Sequence, residues 1–159
     1  MHERQKLLKD PYSVCNFMRV HKLTINDYNE IVSLWSRAGL PYKPKGRDSR
    51  AAMELQMKKS PNFFLGVYDG DRLVGTVIAS WDYRRGWINR LAVDPKYRQM
   101  GVAQKLVGAA EKVLRKKGAR IIGALVDDCN ISSLGLFKKC GYVEHHDVVY
   151  LSKRDSDEV

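Results

Sequence analysis

Apolar residues recur along this chain with two different periods, and each change of period marks a new element. Alternation over residues 17–23 predicts a first strand. Thr24 then stands as a helix cap before Ile25, Tyr28, Ile31, Val32, Trp35 and Ala38, which keep the helical period until Gly39 and Pro41 stop it. Two prolines and a glycine make 40–46 a loop, and Asp48 is placed to cap a second helix running through Met53, Leu55 and Met57 to residue 59. Two β-rich runs follow, 62–68 and 72–80, joined through Asp69-Gly70-Asp71 in a tight hairpin. A fourth strand over 87–93 runs into Asp94-Pro95, where proline removes a ladder donor. Val102, Ala103, Leu106, Val107, Ala110, Val113 and Leu114 then form one apolar stripe on a long helix that Gly118 closes. Residues 121–126 read as a fifth strand, 131–140 as a short helix closed by Gly141, and 142–151 as a final β region of one bent strand or two. This order predicts an α/β fold: a mixed, mostly antiparallel sheet of six to seven strands with helices on both faces.

Length and composition narrow the picture. With 159 residues and 44% hydrophobic content the chain can bury one core, expected over 17–153, with 1–16 as an N-terminal extension and 154–159 as a loose C-terminal tail. A formal charge of +10 attracts polyanions without naming one. Eight basic residues against the single acid Glu111 fall between Lys96 and Arg120. A nucleic-acid backbone, a phosphorylated cofactor or a solvated helix face would each account for them. Cys15, Cys129 and Cys140 are odd in number and lack C-x-x-C spacing, which fits a reducing, cytoplasmic setting better than a disulfide framework. No apolar run reaches membrane-spanning length and no signal-peptide core is present, so no membrane association is expected.

The chemistry concentrates where a strand turns into a helix, from Leu91-Ala92-Val93-Asp94-Pro95 to Gly101-Val102-Ala103. Helix N-termini carry unpaired N–H groups and partial positive charge, so a turn that gathers them makes a pyrophosphate site. Gly101 lets an anion approach the backbone, and Ala103 leaves the helix start uncrowded. The dinucleotide pattern G-x-G-x-x-G and the P-loop pattern are absent. Arg98-x-x-Gly101-x-Ala103, preceded by Leu91-Ala92-Val93-x-Pro95, resembles the acetyl-CoA signature of the GNAT superfamily of N-acetyltransferases. A second, independent stretch, Asn130-x-x-Ser133-x-x-Leu136-Phe137-x-Lys139-x-Gly141-Tyr142, is similar to that family's segment for the pantetheine and sulfur end. The resemblance spans 17–151. It implies a single GNAT-like domain using acetyl-CoA as acyl donor, in which Leu91, Ala92 and Val93 pair with the pantetheine arm as though it were an added strand. It also implies that the amides of Gln99, Met100, Gly101, Val102, Ala103 and Gln104 hold the pyrophosphate. Asn130 would bond the pantetheine and Lys105 or Lys139 reach the 3′-phosphate, with Arg98 and Phe137 part of the same cofactor site. It makes a homodimer reasonable.

Transfer to an amine needs a proton outlet, because an alkyl amine with a pKa of about 10 is protonated at neutral pH. Many relatives place a glutamate early on the fourth strand, where this chain has Trp87. Asp82 is the leading substitute, with Asn89 to position a water, and Asp127 and Asp128 could instead draw in a cationic acceptor. Phe137 stands where the family often has a proton-donating tyrosine, which leaves Cys140 and Tyr142 as replacement acids. His145 and His146 point to opposite faces of a strand, so no metal is assigned. Trp81, Tyr83 and Trp87 would line an acceptor pocket or simply pack. The expected activity is transfer of acetyl from acetyl-CoA to a primary amine of a small molecule or peptide in a ternary complex. The alternatives are an acyl-CoA-binding sensor without catalysis, and a basic nucleic-acid-binding domain, against which no base-reading motif is found.

Overall fold

The computed structural model describes residues 18–156. β1 (Val20–Lys22), β2 (Phe64–Asp69), β3 (Arg72–Trp81) and β4 (Gly86–Val93) pair antiparallel in chain order, and β5 (Ile122–Ala124) joins β4 in parallel. The β2–β3 hairpin closes on the pair Asp69 and Arg72, with Gly70 at φ +57° supplying the left-handed turn residue. Among the described residues four α-helices accompany the sheet: α1 (Tyr28–Ala38), α2 (Arg50–Lys59), α3 (Val102–Lys116) and α4 (Ile131–Lys139).

Two neighbouring residues of β3 show how the layers stack, because successive side chains on a strand face opposite ways. A Cβ on Gly75 would come within 2.8 Å of Val102 and 2.9 Å of Leu106, so a glycine here lets α3 lie close to the sheet. Thr76 faces the other way and accepts a 3.0 Å hydrogen bond from the Trp35 indole of α1. The sheet is therefore sandwiched. Ile31, Leu34 and Trp35 are buried from α1, and Val102, Leu106, Val107, Ala110 and Leu114 from α3. Each large aliphatic side chain so buried contributes about 1.5–3 kcal/mol of transfer free energy.

The fold class agrees with the sequence pattern, while several bounds change. Five strands are present among the described residues, not six or seven. The run 142–151 forms no ladder: alternation needs a sheet edge to pair with, and Val143, Val148, Val149, Tyr150 and Leu151 are all exposed. The expected strand over 121–126 shrinks to that same β5, and the first strand shrinks to Val20–Lys22. Thr24 caps a 3-10 turn, Ile25–Asp27, through a reciprocal bond with Asp27, and α1 begins only after it. Ser49, rather than Asp48, caps α2, accepting from the Ala52 N–H. The expected N-terminal extension, 1–16, lies outside the described residues. Residues 154–156 of the expected tail adopt no helix or strand.

The corner where β4 ends is held by a buried carboxylate. Asp94 is 2% exposed and its Oδ2 accepts from Arg37 of α1 at 2.9 Å and Arg72 of β3 at 2.8 Å, while Oδ1 accepts from the Lys96 N–H. Burial alone would raise its pKa, but the bonds from Arg72, Lys96 and Arg37 outweigh burial and hold the carboxyl at about 2. A depressed carboxylate stabilises the fold fully above its unfolded pKa of about 4 and loses that contribution as pH falls toward 2. Asp94→Asn should therefore cost about 2 kcal/mol in urea unfolding at pH 7, with the gap to the parent narrowing steadily below pH 4.

Candidate active site

The site begins with an irregularity in β4. Ile78 faces Asn89 and Thr76 faces Ala92, so Arg90 and Leu91 together stand opposite Val77. One residue too many forms a β-bulge, which bends the strand. Arg90 absorbs the bend at φ +53°. β5 pairs only with Gly86, Trp87 and Ile88, so beyond the bulge β4 has lost its parallel neighbour. Leu91, Ala92 and Val93 thus line an open cleft along that side, while Ala92 and Val93 remain paired to β3 on the other.

The chain then turns through Asp94, the 3-10 turn Pro95–Tyr97, and two left-handed residues, Gln99 at φ +61° and Gly101 at φ +82°, into α3. The first intrahelical bond of α3 runs from the Lys105 N–H to the Gly101 carbonyl at 3.0 Å. The amides of Val102, Ala103 and Gln104 therefore have no intrahelical acceptor, and Gly101 provides no side-chain cap. A helix terminus of this kind suits an anion, and it opens on a space of about 1030 Å³. Across the cleft, Asn130 caps α4 by accepting from the Ser133 N–H at 3.1 Å, and Ser132, Ser133, Leu136 and Lys139 supply that wall. Ala38, Gly39 and Leu40, just past α1, close the third side.

The cleft gathers most residues expected at the cofactor site: Leu91, Ala92, Val93, Arg98, Gln99, Gly101, Val102, Ala103, Gln104, Asn130 and Lys139. Met100 sits in the same turn without lining the cleft. Lys105 turns away to donate to the Met18 carbonyl, and Phe137 is buried edge-on against Tyr142, with ring centroids 5.0 Å apart. The catalytic candidates are placed elsewhere. Asp82 is committed to the β3–β4 turn: Oδ1 accepts from the Arg85 and Arg84 N–H groups and Oδ2 from the Trp87 indole. Those bonds, the Arg85 amide foremost, lower its pKa and make it a weaker base. Asn89 donates to the Ser80 hydroxyl at 3.1 Å. Cys140 is half-buried off the cleft, its thiol pKa raised by burial and then by Glu111, and the Tyr142 hydroxyl donates to Glu111 at 2.8 Å. Among the described residues no carboxylate or imidazole lines the cleft. Among the described residues no three His, Cys, Asp or Glu side chains gather into a metal-binding group, and no helix is long and apolar enough to cross a membrane.

Residues 38–40 were missed as a site wall because Gly39 and Pro41 in sequence signal only the end of a helix. Arg90 carried no local signal either, since nothing beside it in sequence announces a bulge.

The model of the acetyltransferase (GNAT) family matches residues 28–142. Among solved structures, the chain is similar to the PaiA N-acetyltransferase of Thermoplasma acidophilum in complex with coenzyme A, with 20% identity and a TM-score of 0.67 over 77% of this chain and 87% of that one. It is similar to AAC(6')-Iy in complex with a bisubstrate analogue joining CoA to an acetylneamine, with 18% identity and a TM-score of 0.71 over 86% and 98%. An aminoglycoside acetyltransferase from an uncultured soil sample, in complex with trehalose, matches at 19% identity and a TM-score of 0.69 over 90% and 99%.

Gly101→Ala forces a Cβ into the left-handed region at the helix start. That strain of about 1–2 kcal/mol falls on the folded state, so the thermal midpoint should drop by several degrees, and a turn that relaxes to relieve it should bind CoA about tenfold more weakly in isothermal titration.

Proposed function

The chain belongs to the acetyltransferase (GNAT) family, and from that premise we propose that it transfers the acetyl group of acetyl-CoA to a primary amine of a small molecule or peptide by direct attack. One observation carries the reading: a strand edge with no neighbour beyond the bulge and an uncapped helix terminus open on the same cleft. The fit to acetyl-CoA is physical. Uncapped amides at α3 suit a pyrophosphate, the side of β4 suits an amide-bearing arm, and Lys139 and Arg98 add formal positive charge where further phosphate would lie.

Acetyl-CoA supplies an activated thioester. The chain's own contribution is to hold the donor along Leu91, Ala92 and Val93, and to aim a main-chain N–H at the thioester oxygen. A C–N bond forms, the C–S bond breaks, the sulfur leaves as thiolate and the amine gives up a proton. Because a thiol has a pKa of about 8.5, the thiolate departs without a dedicated acid, which suits a cleft where Phe137 is turned away. The proton leaves through water, since among the described residues no carboxylate or imidazole lines the cleft to accept it. The structural neighbours named for aminoglycosides make amino sugars one acceptor class to test, beside polyamines, amino acids and peptides.

Incubation with acetyl-CoA and such a panel, with free thiol recorded, tests the reading; CoA binding without thiol release on any amine would instead support a sensor. With a reactive alkyl amine, kcat/KM should rise about tenfold per pH unit from pH 7 to pH 9. A plateau with a midpoint near pH 6–7 would instead reveal a side-chain base.

A further inference from the structure

Arg90 occupies a backbone conformation that residues with a Cβ avoid, at φ +53°, and it does so one residue before the strand segment that lines the cleft. Its side chain is spent on a different element. The guanidinium donates to the Asp48 carboxylate and to the Pro41 carbonyl, and lies over the Trp35 ring with its carbon 4.8 Å from the centroid. Both charged groups are desolvated, with side-chain exposures of 14% for Arg90 and 7% for Asp48.

Asp48 is the only acid between residues 39 and 50, a stretch that also holds Lys43, Lys45, Arg47 and Arg50. The loop is wound around it: the Lys43 N–H donates to its Oδ2 at 2.8 Å, and the Tyr28 hydroxyl donates to its main-chain carbonyl at 3.0 Å. Arg98, at the other end of the cofactor edge, donates to the Ala38 carbonyl at 2.9 Å. The strip 38–41 is therefore gripped at both ends by arginines that flank Leu91, Ala92 and Val93, and Ala38, Gly39 and Leu40 of that strip line the cleft.

We propose that Arg90 is a positioning residue for acetyl transfer, clamping the α1–α2 loop onto the bulge so that the strip 38–41 stands as a fixed wall over the thioester end. This rests on the acetyltransferase reading of the cleft. A neutral side chain of similar length could fill the same space, but it could not bind a carboxylate and a carbonyl together. The guanidinium fork does both, and its planar face covers Trp35. Arg47 also approaches the Asp48 carboxylate, at 3.7 Å, but its side chain is 55% exposed, so separating the pair leaves the Arg90 guanidinium stranded and Asp48 with an exposed partner only.

Three variants of the full chain test the clamp. Arg90→Gly keeps the left-handed bulge without strain and removes the fork. Asp48→Asn keeps the shape of the loop acid and removes its charge, and Arg90→Lys restores the charge without the fork. Hydrogen exchange should quicken about tenfold in peptides covering 40–49 for Arg90→Gly and Asp48→Asn, and remain at the parent rate in peptides covering 99–104. CoA affinity should stay within about threefold, while kcat with the fastest amine of the panel falls about tenfold at unchanged KM for acetyl-CoA, Arg90→Lys lying between. Parent-like exchange over 40–49 in Asp48→Asn overturns the clamp, even if Arg90→Gly does not fold. A loosened loop with parental kcat overturns its role in transfer. A parent protein that releases no CoA with any amine overturns the acetyltransferase reading itself, an outcome the exchange measurement cannot be confused with.

Discussion

A β-strand in the middle of a sheet must satisfy hydrogen-bonding groups along both edges, and β4 does so along only part of its length. Its first three residues have β5 on one side and β3 on the other. After the bulge at Arg90 and Leu91 only β3 remains, and the other side of the strand faces the cleft. Buried polar backbone groups left unpaired cost free energy, so such an arrangement persists only where water or a ligand can reach it. The geometry of the helices follows from the same divergence. β4 and β5 run parallel, and each is followed by a helix, α3 and α4, whose N-terminus starts from the carboxyl end of its strand. Both positive helix ends therefore approach the same opening, as expected of ligand sites at the carboxyl ends of parallel strands.

Recognition in this cleft is largely main-chain work. Its walls hold main-chain amides, two serines, one asparagine, two glutamines, aliphatic side chains, one tyrosine and two cations, with neither carboxylate nor imidazole among the described residues. Such a site binds phosphate and amide groups well and has no side chain that takes a proton near neutral pH. Catalysis then depends on position and on polarising the thioester, which puts weight on whatever keeps the walls still. Asp94 does this below the turn by joining α1, β3 and the end of β4 through two arginines. The Arg90 and Asp48 pair does the same on the far wall. Both carboxylates are buried, and each ties segments far apart in sequence.

Local chemistry made much of this legible in sequence. The hairpin was readable because Gly70 answers a backbone need within four residues, and α3 because its apolar stripe repeats every turn. The turn into α3 was readable because a left-handed Gly101 and an uncapped helix start are also local. Asp82 shows the limit. As a residue type it suits a base, but three donors within five residues engage it, a commitment visible only when the turn is built. The run 142–151 has strand-like alternation, yet a strand needs an edge to pair with, and alternation along one segment does not say whether an edge is there.

What the chain determines by itself is the order of the main elements from the first strand to the last helix and the sharp turn into α3, since these rest on periodicity and on glycine and proline at fixed offsets. Tertiary structure alone decided that residues 38–40 form a wall, that Asp48 leaves its helix to meet Arg90, and that Lys105 and Phe137 face away from the cleft. Those outcomes depend on contacts between residues tens of positions apart, and such contacts exist only once the sheet has brought their elements together.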